Sequence, residues 1–159
     1  MRRDIQFLRG FAVLAVVLYH AGIPSIQAGY LGVDDFFVIS GFLITGIIIR
    51  QVEKGRFSFR SFYLRRAKRL FPVAYTSLLL TTVLCAFFLT QTQWQDYLEQ
   101  LFGSLSFTAN YVLMFQSGYF EVASESKPML HMWSLSVEEQ FYLLWPALLV
   151  FLPQCSLRL

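Results

Sequence analysis

Residues 4–22 read DIQFLRGFAVLAVVLYHAG, an apolar run with Arg9 near its start and His20 near its end. The two are eleven residues apart. On an α-helix that is three turns plus about 20°, so both side chains share one face, about 16 Å apart along the axis. This is roughly half of a hydrocarbon core. An arginine and a histidine at membrane depth are costly in lipid, so that face must meet protein or a water-filled cavity. A chain that carries such a helix needs further helices to cover it.

Composition agrees. Only 14% of the 159 residues are charged and 56% are hydrophobic, against about 25% charged in a soluble domain. The charge is also segregated. Eight of the thirteen basic residues fall in residues 50–69, and Arg2, Arg3 and Arg9 lie at the N-terminus. Eight of the ten acids lie elsewhere: Asp34, Asp35, Asp96, Glu99, Glu121, Glu125, Glu138 and Glu139. Basic loops stay cytoplasmic; apolar flanks on both sides argue against nucleic acid as the partner of this one. Met1-Arg2-Arg3 and residues 11–19 have the outline of a signal peptide, but Arg9 interrupts the approach and no small-x-small cleavage site follows promptly. Cys85 and Cys155 have no metal-ligand or disulfide spacing.

Taken in order, the first helix starts inside and emerges near Gly22. Residues 23–32, with Pro24, Gly29 and Gly32, read as a short outer loop. A second helix returns over residues 33–49. Asp34 and Asp35 sit at its outer N-terminus, where the dipole favours acids, and Ser40, Gly41 and Gly46 permit close helix approach. Residues 50–69 form a basic inner loop whose interleaved aromatics suggest an interfacial helix. Pro72 suits the first turn of a third helix, ending near Leu89. Residues 98–115 are apolar but broken by Gln100, Ser104, Ser106, Thr108 and Asn110, and suggest a re-entrant or outer-surface helix. Residues 141–152 form a fourth span, kinked by Pro146, with Arg158 inside. The expected fold is an all-α, polytopic transmembrane bundle with about four spans.

This topology sorts the polar residues into two layers. His20, Asp34, Asp35, His131, Trp133, Ser134, Ser136, Glu138 and Glu139 fall outside. Arg9, Arg65, Arg66, Lys68 and Arg69 fall inside. Imidazoles and carboxylates are acid/base equipment, and guanidinium forks match phosphate oxygens.

The segments FLRGFAVLAVVLYH, GVDDFFVISGFLIT, RRAKRLFP and LHMWSLSVEEQFYLLWP, in that order, resemble the acyltransferase family 3 membrane proteins, which O-acylate surface polysaccharides such as lipopolysaccharide. The resemblance implies a multi-pass enzyme of the bacterial inner membrane with its N-terminus in the cytoplasm. It implies an acyl-CoA donor, acetyl-CoA foremost, no metal, and a carbohydrate acceptor outside. The family's Arg-x10-His motif falls on Arg9 and His20, and its Arg-x-x-Arg element on Arg66 and Arg69. Family domains have about ten helices, so residues 1–159 correspond to the N-terminal half of one domain, truncated, with a missing half or a homo-oligomer as the expected completion.

Within that reading His20 is the expected catalytic base, with Arg9, Glu138 and Glu139 beside it in the chemistry. Arg66, Arg69 and Arg65 are the expected donor-binding residues. Asp34, His131, Trp133 and Ser136 are the expected acceptor contacts. Two rivals stand: an inactive membrane fragment or half of a split enzyme, and a small transporter subunit, since intramembrane Arg and His also mark ion paths.

Overall fold

A computed structural model describes residues 3–23, 25, 27–116 and 127–151. Met1, Arg2, Pro24, Glu121, Glu125, Cys155 and Arg158, which entered the sequence reading, lie outside the described residues. Among those described, the regular structure is helical throughout: α1 (Arg3–His20), a 3-10 turn (Gly29–Leu31), α2 (Gly32–Glu53), α3 (Phe59–Phe88), α4 (Gln91–Leu105), α5 (Ala109–Phe115) and α6 (Met132–Phe151). They form two compact units. The first holds the described residues up to Phe57 with the end of α6 from Leu149; the second is Ser58–Leu148.

In the first unit α1 stops at a glycine. Gly22 takes a φ of +71°. Its N–H donates to the Tyr19 carbonyl at 3.0 Å, and the Ile23 N–H donates to the Leu18 carbonyl at 3.4 Å. This pair of bonds closes a helix on a left-handed residue. The 3-10 turn and the start of α2 then lie directly on the α1 backbone. A Cβ added at Gly29 would strike the Ala15 carbonyl and the Tyr19 Cβ, and one at Gly32 would strike the Ala12 carbonyl. Small residues that let backbones touch are the means by which helices associate where lipid removes the hydrophobic drive. Along α2, Ser40, Ile44 and Ile48 recur every fourth residue and are buried. Among the described residues the Ser40 hydroxyl has no hydrogen-bond partner.

The second unit corrects one expected boundary. Pro72 does not open a helix; α3 runs unbroken through it from Phe59. Proline removes one donor and crowds the carbonyl four residues back, but a helix that loses one bond keeps the rest. The nearby Thr76 hydroxyl bonds the Pro72 carbonyl at 2.6 Å. The true start is Ser58, whose side chain accepts the Ser61 N–H at 3.4 Å. Residues 59–69 of the basic stretch therefore form the first turns of a long helix, while Arg50 lies in the last turn of α2.

Residues 98–115 are two helices folded back on each other. The corner is at Phe107, with φ +55°. Past it, Gln116 Nε2 donates to the Asp96 carbonyl at 3.2 Å and to the Glu99 carboxylate at 3.0 Å. Gln100 Nε2 donates to Gln116 Oε1 at 3.0 Å. The segment thus returns to the level it left. Leu78, Cys85, Tyr97 and Met129 form one buried cluster, while nearer the start of α3 the Tyr63 hydroxyl donates to the Leu143 carbonyl at 2.8 Å. So α6 runs antiparallel to α3.

Among the described residues, two helical stretches can cross a membrane by length and composition: Gly29–Glu53 and Phe59–Phe88. A core helix of a soluble protein is mostly buried, but only 22% and 17% of their most apolar windows is buried here. Of the four spans expected, these two meet that criterion.

Candidate functional site

Arg9 and His20 both lie on α1. Arg9 is half-buried, and its guanidinium lies over the Phe36 ring of α2, 4.8 Å from the centroid. That is within cation–π range. His20 is exposed in the last turn. Its Nδ1 lies 2.8 Å from the Val16 carbonyl oxygen. A carbonyl only accepts, so Nδ1 donates here, which in the neutral imidazole leaves the lone pair on Nε2. The Tyr19 ring meets the imidazole edge-on at 5.2 Å, and Tyr30 from the 3-10 turn meets Tyr19 at 5.9 Å. Asp34 and Asp35 are exposed in the first turn of α2.

In the second unit, α3 and α6 build a charged cluster. The Arg66 guanidinium lies on the face of Tyr142, 3.1 Å from the ring centroid. One of its nitrogens is 3.7 Å from Glu139 Oε1, and the two side chains are 25% and 19% exposed. The Tyr142 hydroxyl donates to the Glu138 carboxylate. Glu138 and Glu139 precede Tyr142 by four and three residues, and so share its side of α6. One buried ring thereby touches a cation and an anion.

This contact overturns the two-layer sorting for these residues. Glu138 and Glu139 read as outer because they precede the apolar run of residues 141–152. Yet α6 begins at Met132, so by Glu139 it has already run about two turns and stands level with Arg66. Inner and outer labels cannot both hold for an ion pair.

The remaining expected residues divide by burial. Arg65 and Arg69 are exposed on α3, and Arg65 donates to the Ser61 hydroxyl. His131 is exposed just before α6, and Trp133 is half-buried in its first turn. Ser136 is fully buried. Its hydroxyl donates to the Met132 carbonyl at 2.9 Å and accepts the Ala109 N–H at 3.2 Å, which ties α5 to α6. Gln140 reinforces that tie, donating to the Phe107 carbonyl at 2.8 Å and to Asn110 Oδ1 at 2.9 Å. Among the described residues no three His, Cys, Asp or Glu side chains gather as metal ligands would.

Residues 2–159 match the acyltransferase 3 family, described as an acyltransferase domain. The chain belongs to the acyltransferase 3 family. Among the relatives of this acyltransferase 3 chain is the peptidoglycan O-acetyltransferase OatA of Listeria monocytogenes. It is 39% identical over 156 residues, which is 94% of this chain and 24% of the relative. The putative peptidoglycan O-acetyltransferase YrhL of Bacillus subtilis is 38% identical over 90% of this chain and 23% of its own length. An uncharacterized protein of Haemophilus influenzae is 38% identical over 74% of this chain and 48% of its own length. The chain thus spans about a quarter of the first two of these relatives. No solved structure matches it.

Sequence reasoning missed Tyr142 and Tyr63. The signal was present for Tyr142: an aromatic three and four residues after a Glu-Glu pair shares their helix face. For Tyr63 no local pattern points to a backbone carbonyl eighty positions away.

Proposed function

We propose that this chain forms part of a membrane O-acetyltransferase that moves an acetyl group from cytoplasmic acetyl-CoA to a hydroxyl of a cell-wall glycan outside. The observation that carries this reading is the 39% identity to a peptidoglycan O-acetyltransferase over 94% of the chain. Insertion as a multi-pass protein of the bacterial plasma membrane, N-terminus inside, belongs to the same reading; the two lipid-compatible helices support it.

In this proposal His20 Nε2 takes the proton of the acceptor hydroxyl as its oxygen attacks the acyl carbonyl. The carbon–sulfur bond of the thioester then breaks, and the CoA thiolate leaves and picks up a proton. The Nδ1 bond to Val16 supports this role, because it fixes the tautomer in which Nε2 is the base. Arg65 and Arg69 are exposed and suit the donor's phosphates, while Arg66 is engaged with Tyr142 and Glu139 and suits a fixed contact on the donor. Arg9 is proposed to hold the developing negative charge of the acyl oxygen. Glu138 and Glu139 act in the chemistry beside Arg66. Asp34, His131 and Trp133 are proposed acceptor contacts, and the buried Ser136 supports α6 through its bond to the Ala109 N–H.

The test is His20→Ala expressed in cells fed labelled acetyl-CoA precursor, with labelled glycan as the readout. Transfer should fall by about 10²–10⁴-fold, the range of a lost general base, with unchanged protein in the membrane. Transfer at the wild-type rate overturns the role of His20. An unlabelled glycan in wild-type cells overturns the acceptor assignment.

A further inference from the structure

Tyr142 is 3% exposed, and a buried tyrosine needs a partner for its hydroxyl. Here the partner is a carboxylate. The same ring carries a guanidinium on its face, well within cation–π range. Arg66 belongs to α3 and Glu138 to α6, 72 positions later, so no helix periodicity holds them together. The side chain common to both is Tyr142.

We propose that Tyr142 is a positioning residue of the acyltransfer site, its ring fixing the Arg66 guanidinium and its hydroxyl fixing the Glu138 carboxylate. This rests on the acyltransferase reading above. The two halves of the side chain have separable jobs. The flat face orients Arg66 so that its free edge points in one direction; a guanidinium held this way has less rotamer freedom to lose when it grips a phosphate or thioester oxygen. The hydroxyl selects one rotamer of Glu138. Without that bond the carboxylate swings through several. A single buried residue then sets both donor affinity and the geometry of the step.

The two jobs come apart by substitution. Tyr142→Phe keeps the ring and removes the hydroxyl; Tyr142→Leu removes both. Kinetics are measured in membranes of cells expressing the protein from its full reading frame, with acetyl-CoA varied at fixed acceptor. Tyr142→Phe should leave KM for acetyl-CoA within about twofold of wild type while kcat falls about tenfold, the scale of one hydrogen bond to a charged group. Tyr142→Leu should raise that KM about tenfold as well. Adding Arg66→Ala to Tyr142→Leu should raise KM little further, because both remove the same fixed contact.

A residue that only fills space gives a different pattern. Both variants then lower the amount of folded protein, and per molecule kcat and KM stay at wild-type values. That result overturns the proposal, as does a Tyr142→Phe protein identical to wild type in kcat. If Tyr142→Leu is poorly recovered, Arg66→Lys serves in its place: a compact ammonium stacks less well on the ring, so KM should rise, and an unchanged KM overturns the ring's part. A wild-type protein without acetyl-CoA-dependent transfer overturns the proposed function and this inference with it; wild-type transfer with no KM and kcat split overturns the inference alone.

Discussion

The two units bury polarity in opposite ways. In the first, α1, the 3-10 turn and α2 meet through bare backbone at Gly29 and Gly32, and the buried Ser40 hydroxyl has no hydrogen-bond partner among the described residues. In the second, the described corners are tied by side chains. Gln100 reaches Gln116 and the Met129 N–H, Ser104 bonds the Gln100 carbonyl, Ser136 spans α5 and α6, and Gln140 holds the Phe107 corner. The difference follows from element length. Long helices that lie side by side need only matching shape. Short helices that double back expose backbone groups at each corner, and those must be satisfied once water is excluded.

Substitution at Gly32 tests the shape side of this contrast most severely. Gly32→Val should destabilise by about 3 kcal/mol or more, since the colliding atoms are backbone and cannot yield. The readout is the midpoint of thermal unfolding in detergent. Gly10→Val is the control, because a side chain there meets nothing within 4 Å. Equal loss at both positions would mean that the interface is not set by close approach.

In the second unit Gln100→Leu comes next. It removes the partner of Gln116 Oε1 and of the buried Met129 N–H, at about 1–3 kcal/mol. Denaturant midpoints in mixed micelles would show it. A neutral result would mean that the hairpin is held by apolar contact instead.

The smallest effect is also the sharpest comparison. Ser136→Ala should destabilise by about 1 kcal/mol, while Ser40→Ala should be neutral or stabilise by a similar amount, because it removes a hydroxyl that gains nothing from burial. Both are buried serines in helices, so a common sign of effect would erase the distinction between the units.

Much of the first unit is legible in the sequence. The Arg9–His20 spacing fixes a common face on any helix, and Asp34 with Asp35 marks the start of α2 to within two residues. These are local patterns, and local patterns report helices well. The second unit is less legible. Pro72 is a strong punctuator, yet a helix already begun at Ser58 runs through it. The polar interruptions at Gln100, Ser104 and Ser106 suggest an irregular membrane segment, but not that Gln116 would return to them. The charge at Glu139 reads as outer from its place before an apolar run, and only the contact with Arg66 corrects this. Each miss concerns a pairing across tens of residues, for which a single sequence carries no periodic signal. The candidate residues stand on the same footing: their types and motif spacing are legible in the sequence, while the ring that joins Arg66 to Glu138 is not.

The fold-back at Phe107 has a consequence for how the polypeptide is threaded. A segment whose far end bonds to its own beginning makes no net passage in any direction. Among the described residues, α4 and α5 together are therefore neutral in the arithmetic of crossings, and α6 runs as the reverse of α3. Lengthening or shortening that corner changes what the hairpin displays at its tip.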